Sequence, residues 1–338
     1  MRSVAELDDR LSAPRPALVD DLRKIDGDLL VLGAGGKLGP SLVRLAVRAA
    51  GAAGGGRRVI AVSRFGGGDH AAELRAAGAT VIAADIGDEA ALRGLPDAPN
   101  VLFLVGAKFG TSGRAAATWN TNTYLPGQVA RRFRGSRIVA LSTGNVYPLT
   151  PVASAGPTED AAPDPVGEYA MSCLGRERIL EHASVENGTP TALIRLNYAV
   201  EMRYGVLVDL ATALLAGEPV DLTMGHANVV WQGYANEVAI RALLLADVPP
   251  AVLNVTGPEL VSIRQVATAL ADRLGVPVRF AGTEAGTALL SNAGRCHRLF
   301  GYPDVTLGEL LDHTAAWVGS GLPLLGKPTG FQRRDGRF

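Results

Sequence analysis

Six short apolar runs, Leu29–Leu32, Val59–Val62, Thr80–Ala84, Val101–Val105, Ile138–Leu141 and Ala192–Leu196, are each followed by a stretch of helical periodicity. Runs this apolar leave no face for water, so each must be covered on both sides. Strands buried on both faces and separated by helices build a parallel sheet enclosed by helices. The pattern therefore predicts an α/β fold, a Rossmann-type doubly wound parallel sheet, over residues 28–196. Beyond residue 197 it becomes irregular, with helices near Val206–Ala216, Asn236–Ala246 and Ile263–Leu274 and a short strand at Val252–Val255. That reads as a smaller mixed α/β portion, 197–318, where a substrate would bind. Upstream, Val4, Leu7, Leu11, Leu18, Leu22 and Ile25 recur at helical spacings broken by Pro14 and Pro16, so residues 1–27 form a helical appendage. The Gly/Pro-rich tail, 319–338, is expected to drape over the surface.

The first strand runs into D-L-L-V-L-G-A-G-G-K-L-G, with glycines at 33, 36 and 39. Gly33 permits the tight turn, Gly36 lets backbone approach a pyrophosphate at the helix N-terminus, and Gly39 allows close helix-to-strand packing. Gly35, Lys37 and Leu38 complete the candidate cofactor contacts of the loop. Its place between the first strand and a helix separates it from an ordinary glycine turn. Lys37 has two readings, a solvent-facing side chain opposing the helix dipole or a contact to a cofactor phosphate. An acidic residue at the end of the second strand would favour NAD; Ser63-Arg64 stands there instead. A hydroxyl and a guanidinium suit a 2′-phosphate, so NADP is expected, with NAD the other choice. Asp85 and Ile86, after the third strand, fall where an adenine would be held.

Composition removes several classes of function. Lys+Arg 33 balances Asp+Glu 33, which argues against nucleic acid or an anionic membrane surface as partner. No apolar run is long enough to span a bilayer. Cys173 and Cys296 make no disulfide framework, and Glu6, Asp8 and Asp9 stand where a signal peptide would be apolar, so a cytoplasmic location is expected. Five scattered histidines show no ligand spacing, and no metal site is expected. Only four of the 33 basic residues are lysines, at 24, 37, 108 and 327.

The fifth strand enters S-T-G-N-V-Y-P at 142–148, and Tyr169 follows in E-Y-A-M-S-C-L-G-R-E. Asn122, Trp231–Ala239 and N-V-T-G-P-E-L-V-S-I-R-Q at 254–265 are further landmarks. With these, residues 28 to 318 resemble the extended short-chain dehydrogenase/reductase family, the NAD-dependent epimerase/dehydratase group that acts largely on sugars. The resemblance implies that Tyr169 is the acid/base and Thr143 orients the substrate oxygen. It also implies that Val105, Gly106, Ser142 and Tyr169 contact the cofactor, and that the protein is a homodimer. Asn197, Tyr198 and Arg203, past the sixth strand, are the candidate substrate contacts.

Two departures stand out. Four residues after Tyr169 the family has a lysine that holds the nicotinamide ribose and lowers the tyrosine pKa; here it is Cys173. A thiol carries no positive charge and reads as a small filler, while a nucleophilic role lacks a histidine nearby in sequence. Arg176 lies on the same helical stripe, but two turns, about 10 Å, put it far from Tyr169. Lys108, in L-V-G-A-K-F-G, resembles the Ala-Gly-x-Lys turn of UDP-galactose 4-epimerases. Its role is either a phosphate or ribose contact or the tuning of Tyr169. The second departure is M-G-H-A-N-V-V-W-Q-G at 224–233, which lacks the arginine that grips a nucleotide diphosphate and offers only His226. A free sugar, sugar acid or polyol therefore competes with a nucleotide sugar as substrate. The expected function is hydride transfer on a sugar-like alcohol or ketone; the rival is a non-catalytic NAD(P)-binding sensor or scaffold of the same fold.

Overall fold

The structure, a computed structural model, describes residues 1–66, 69–108, 113–327 and 329–337. The six apolar runs become β1 (Leu29–Leu32), β2 (Val59–Ser63), β3 (Thr80–Ala83), β4 (Asn100–Phe103), β5 (Arg137–Thr143) and β6 (Thr191–Leu196). A seventh strand, β7 (Ala251–Val255), joins them, and the all-parallel order is β7-β6-β5-β4-β1-β2-β3. Strand order reverses between β1 and β4, which opens a crevice at the carboxyl ends of these strands.

The β7 run is a correction to its placement in the C-terminal portion. It lies against β6 in continuous register, from Ala251 opposite Ala192 to Val255 opposite Leu196. Asn254 interrupts its apolar character, yet is fully buried. Its amide donates to the carbonyls of Pro157 and Asn292 and its backbone N–H donates to Glu159.

Alternate strand residues feed two separate cores, which explains why the runs lack a polar face. Leu29, Val31, Ala61, Leu102, Val139 and Ile194 pack on one side; Leu30, Leu32, Val62, Val101, Phe103 and Ile138 pack on the other. The first side is covered by α1 (Val4–Leu11), α2 (Pro16–Leu22) and α3 (Gly39–Ala53). The N-terminal helices are tightly held: Leu7, Leu11, Leu18 and Leu22 are buried, and Arg44–Asp8 and Arg15–Glu237 tie them to the rest. The second side carries the helical stretch 115–132, with a π turn at Asn120–Tyr124, and α4 (Gly167–Asn187).

In the C-terminal portion α5 (Val206–Leu215), α6 (Gln232–Arg241), α7 (Ile263–Leu274) and α8 (Leu307–Gly319) enclose a continuation of the first core. The tail is anchored. Its Leu325 N–H donates to the Arg203 carbonyl, Thr329 donates twice to Asp209, and Phe331 is buried. Near its end Gly336 lies against Val166 and Gly167 at the start of α4. Among the described residues no helix is long and apolar enough to cross a membrane.

Candidate active site

The glycine loop opens onto a cavity of about 800 Å³. Gly33 adopts φ +92° and a Cβ there would lie 3.0 Å from the Val105 side chain, so only glycine makes the turn. A Cβ on Gly36 would meet only the Gly33 carbonyl, at 3.2 Å, which leaves the backbone open to a ligand. The first turn of α3 has no side-chain cap, so no capping side chain neutralises the positive end of the helix. Together these features fit the pyrophosphate of a dinucleotide. Ser63, Arg64, Asp85, Ile86, Val105 and Gly106 line the same cavity. Arg64 is largely exposed, with its guanidinium 3.9 Å from Asp85. Gly39 lines neither this cavity nor the next; a Cβ there would strike the Ala34 carbonyl at 2.3 Å, so its role is packing.

A second cavity of about 390 Å³ shares Gly36, Leu104 and Gly106 with the first, so the two are contiguous. Thr143, at the end of β5, and Tyr169, in the first turn of α4, both line it. The Thr143 hydroxyl donates to Asn145 Oδ1 at 3.0 Å and acts on the neighbouring Tyr169 phenol. Burial pushes the Tyr169 phenol well above its ordinary range and the neighbouring Cys173 adds to this, while Thr143 and the Arg176 charge pull the other way. Burial also pushes the Cys173 thiol up, against the pull of the Arg176 charge, which disfavours a thiolate nucleophile there. The Lys108 ammonium lies 5.7 Å from the Tyr169 ring centre and 5.5 Å from that of Tyr198. Burial holds its pKa down to about 8, opposed by Cys173 and Asp209.

Several residues lie elsewhere than their sequence positions suggest. Arg176 is not too far away: its side chain folds back toward the start of α4, as helical side chains do. The buried guanidinium donates to the Asn122 carbonyl at 3.1 Å, to Asn122 Oδ1 at 3.0 Å and to the Leu141 carbonyl. Lys37 neither projects into solvent nor lines the dinucleotide cavity; it crosses into the second one. There it donates to the Ala199 carbonyl at 2.6 Å and lies 3.6 Å above the Tyr204 ring. Leu38 lines this cavity too. Ser142 reaches it, but its hydroxyl is committed to the Glu177 carboxylate at 2.5 Å. Asn197 and Tyr198 line the cavity as expected, whereas Arg203 turns away to pair with Glu201 and Asp8. Those two carboxylates attract the guanidinium, whereas a cavity lined by Lys37 and Lys108 repels it. Tyr198 adopts φ +38°, a strained backbone that directs its ring toward Lys108.

Sequence reading missed Tyr204, Lys327 and Thr329, all of which line the second cavity, and Asp209, which anchors Thr329. They come from a loop, a helix and the tail, without a shared motif; only the scarcity of lysine pointed toward Lys327.

The sequence pattern of the NAD dependent epimerase/dehydratase family matches residues 29–222. No curated sequence matches the chain. Among solved structures, UDP-glucuronic acid 4-epimerase from Bacillus cereus in complex with NAD is similar with TM-score 0.71 and 17% identity, over 87% of this chain and 99% of that one. The dTDP-glucose 4,6-dehydratase of Streptomyces venezuelae, with NAD bound, gives 0.72 and 20% over 87% and 97%. UDP-glucose 4-epimerase of Thermotoga maritima gives 0.68 and 20% over 87% and 99%. At these identities the likeness is one of fold.

Proposed function

The chain belongs to the NAD-dependent epimerase/dehydratase family, and from that premise we propose that it catalyses hydride transfer on a sugar-like alcohol or ketone. The observation that carries this reading is that Thr143 and Tyr169 together line a cavity contiguous with that of the glycine loop. Gly33, Gly35, Gly36, Ser63, Arg64, Asp85, Ile86, Val105 and Gly106 would hold a dinucleotide, and Ser63 with Arg64 supports NADP as the preferred form. Bound there, the nicotinamide supplies a hydride acceptor and donor.

The protein's own part is proton management and positioning. Thr143 orients the substrate oxygen toward Tyr169, and the Tyr169 hydroxyl exchanges a proton with it. In the ordinary family pattern a lysine four residues on favours the phenolate; here Arg176, behind the Asn122 side chain, and Lys108, across the cavity, supply positive charge instead. Two isolated buried thiols suit a reducing, cytoplasmic setting. A homodimer is part of the same reading, supported by exposed Tyr124 and Ile179 beside one groove between the 115–132 stretch and α4.

Hydride transfer, followed by nicotinamide absorbance over a panel of sugars, sugar acids and polyols, tests the assignment. Tyr169→Phe is expected to lose about 100-fold or more of turnover with cofactor affinity unchanged, and Thr143→Ala a smaller part. A fully active Tyr169→Phe protein would refute the mechanism. Cofactor binding without turnover on any substrate in the panel would favour the sensor reading, which the raised Tyr169 pKa also suits.

A further inference from the structure

Tyr169 stands third in α4, in the turn where a helix is least secure. The first N–H groups of a helix lack partners within it, and the residue before the helix ordinarily caps one of them with a side-chain oxygen. Here that residue is Val166, which has no such oxygen. On one flank of the turn the Trp119 indole donates to the Glu168 carboxylate at 2.5 Å. A second support comes from the tail.

Gly336 seats its backbone on Val166 and Gly167. A Cβ on Gly336 would lie 2.1 Å from the Val166 carbonyl oxygen and 2.9 Å from the Gly167 Cα, and a Cβ on Gly167 would lie 2.6 Å from the Gly336 carbonyl oxygen. The two residues adopt φ +70° and +85°. The contact therefore demands glycine on each side, for space and for conformation. The path that brings Gly336 there is fixed at three earlier points. Thr329, buried and lining the second cavity, donates its N–H and hydroxyl to Asp209 at 2.8 and 2.6 Å. Phe331 is buried in the first core, and the Arg334 guanidinium donates to the Thr287 carbonyl at 2.7 Å and to its hydroxyl at 2.5 Å. Ordering a glycine-rich segment costs conformational entropy at every residue. The contacts that offset this cost end on the turn that holds Tyr169.

Resting on the hydride-transfer reading above, we propose that the tail is a clamp on the catalytic turn. Gly336 holds the uncapped start of α4 and so fixes the Tyr169 hydroxyl relative to Thr143, which β5 positions independently. Thr329, through Asp209, keeps the clamp in register with the cavity wall. Gly336 and Thr329 are positioning residues: neither supplies a proton, and both act through where the phenol stands.

Hydrogen exchange on the full chain, without ligand, reads the clamp directly. The amides of Met171, Ser172 and Cys173 bond to the carbonyls of the first turn, so they report its opening. Gly336→Ala introduces both the clash and the unfavourable φ, and should speed their exchange by about tenfold or more. Thr329→Val removes one of two donors and should speed it by less. Gly321→Ala carries the same strain, at φ +65° in open space, and should leave it unchanged. Residues 177–184, further along α4, should keep wild-type protection in every variant. On whichever panel compound the wild type turns over, Gly336→Ala should lower kcat by about tenfold or more with KM for the dinucleotide unchanged. Unchanged exchange at 171–173, faster exchange along the whole of α4 in both tail variants, or an open turn with undiminished kcat would overturn the proposal. A wild type inactive on the whole panel tells against the hydride-transfer reading instead; exchange, which needs no substrate, still decides whether the tail holds the turn.

Discussion

The two contiguous cavities are built in opposite ways. The dinucleotide half is largely backbone: glycines that turn, open or pack, an uncapped helix start, and side chains within a few residues of strand ends. The substrate half is made of side chains drawn from β5, α4, the loops after β4 and β6, and a tail beyond residue 320. A site made of backbone tolerates side-chain drift around it, whereas a site made of side chains can change its ligand one residue at a time. The cofactor half carries the glycine pattern of the family, while the substrate half has Cys173 where the family pattern has a lysine.

The sharpest way to break this contrast is to put charge on the backbone half. In Gly36→Asp the Cβ would press on the Gly33 carbonyl at 3.2 Å, which a shift of a few tenths of an ångström relieves, and the carboxylate would face the pyrophosphate. Dinucleotide affinity should fall by at least about 100-fold, ~2.7 kcal/mol, with thermal stability retained. Fluorescence titration checks it, and undiminished binding would show that the loop does not cradle the phosphates. A smaller effect is expected at the one arginine of that half. Arg64→Ala should weaken NADP binding about tenfold and leave NAD binding unchanged, because only the 2′-phosphate needs the guanidinium. Loss of both to the same degree would contradict an NADP preference.

On the substrate side, Lys108→Met should move the activity profile to higher pH. Removing a nearby positive charge disfavours the Tyr169 phenolate, so the limb that requires it rises later. A unit charge about 6 Å away under full aqueous screening gives a shift of about half a pH unit, more if the cavity is dry. With saturating cofactor, an unshifted profile would assign Lys108 to binding rather than to the proton step.

The same contrast explains what could be read from sequence. Gly33, Gly36 and Ser63-Arg64 were legible because turn geometry and the strand-end position are local properties. Thr143 and Tyr169 were legible through a motif. Arg176 was misjudged because residue spacing measures distance along a helix axis, and a long side chain reaches back along it. Arg203 was misjudged because its partners, Asp8 and Glu201, include a residue nearly two hundred positions away. Lys37 was open in sequence for the same reason: its carbonyl partner at Ala199 is fixed only by the fold. β7 escaped assignment to the main sheet because Asn254, satisfied by four neighbours, masks an interior strand.

The anchoring of residues 325–337 over Asp209 and against Gly167 sets an order of manufacture. Synthesis runs toward the C-terminus, so the glycine loop and the strands beside it leave the ribosome well before Lys327 and Thr329. Domains fold as units, and within this one the second cavity waits longest for its lining. Until that segment docks, Asp209 lacks its Thr329 partner and the second cavity lacks part of its lining.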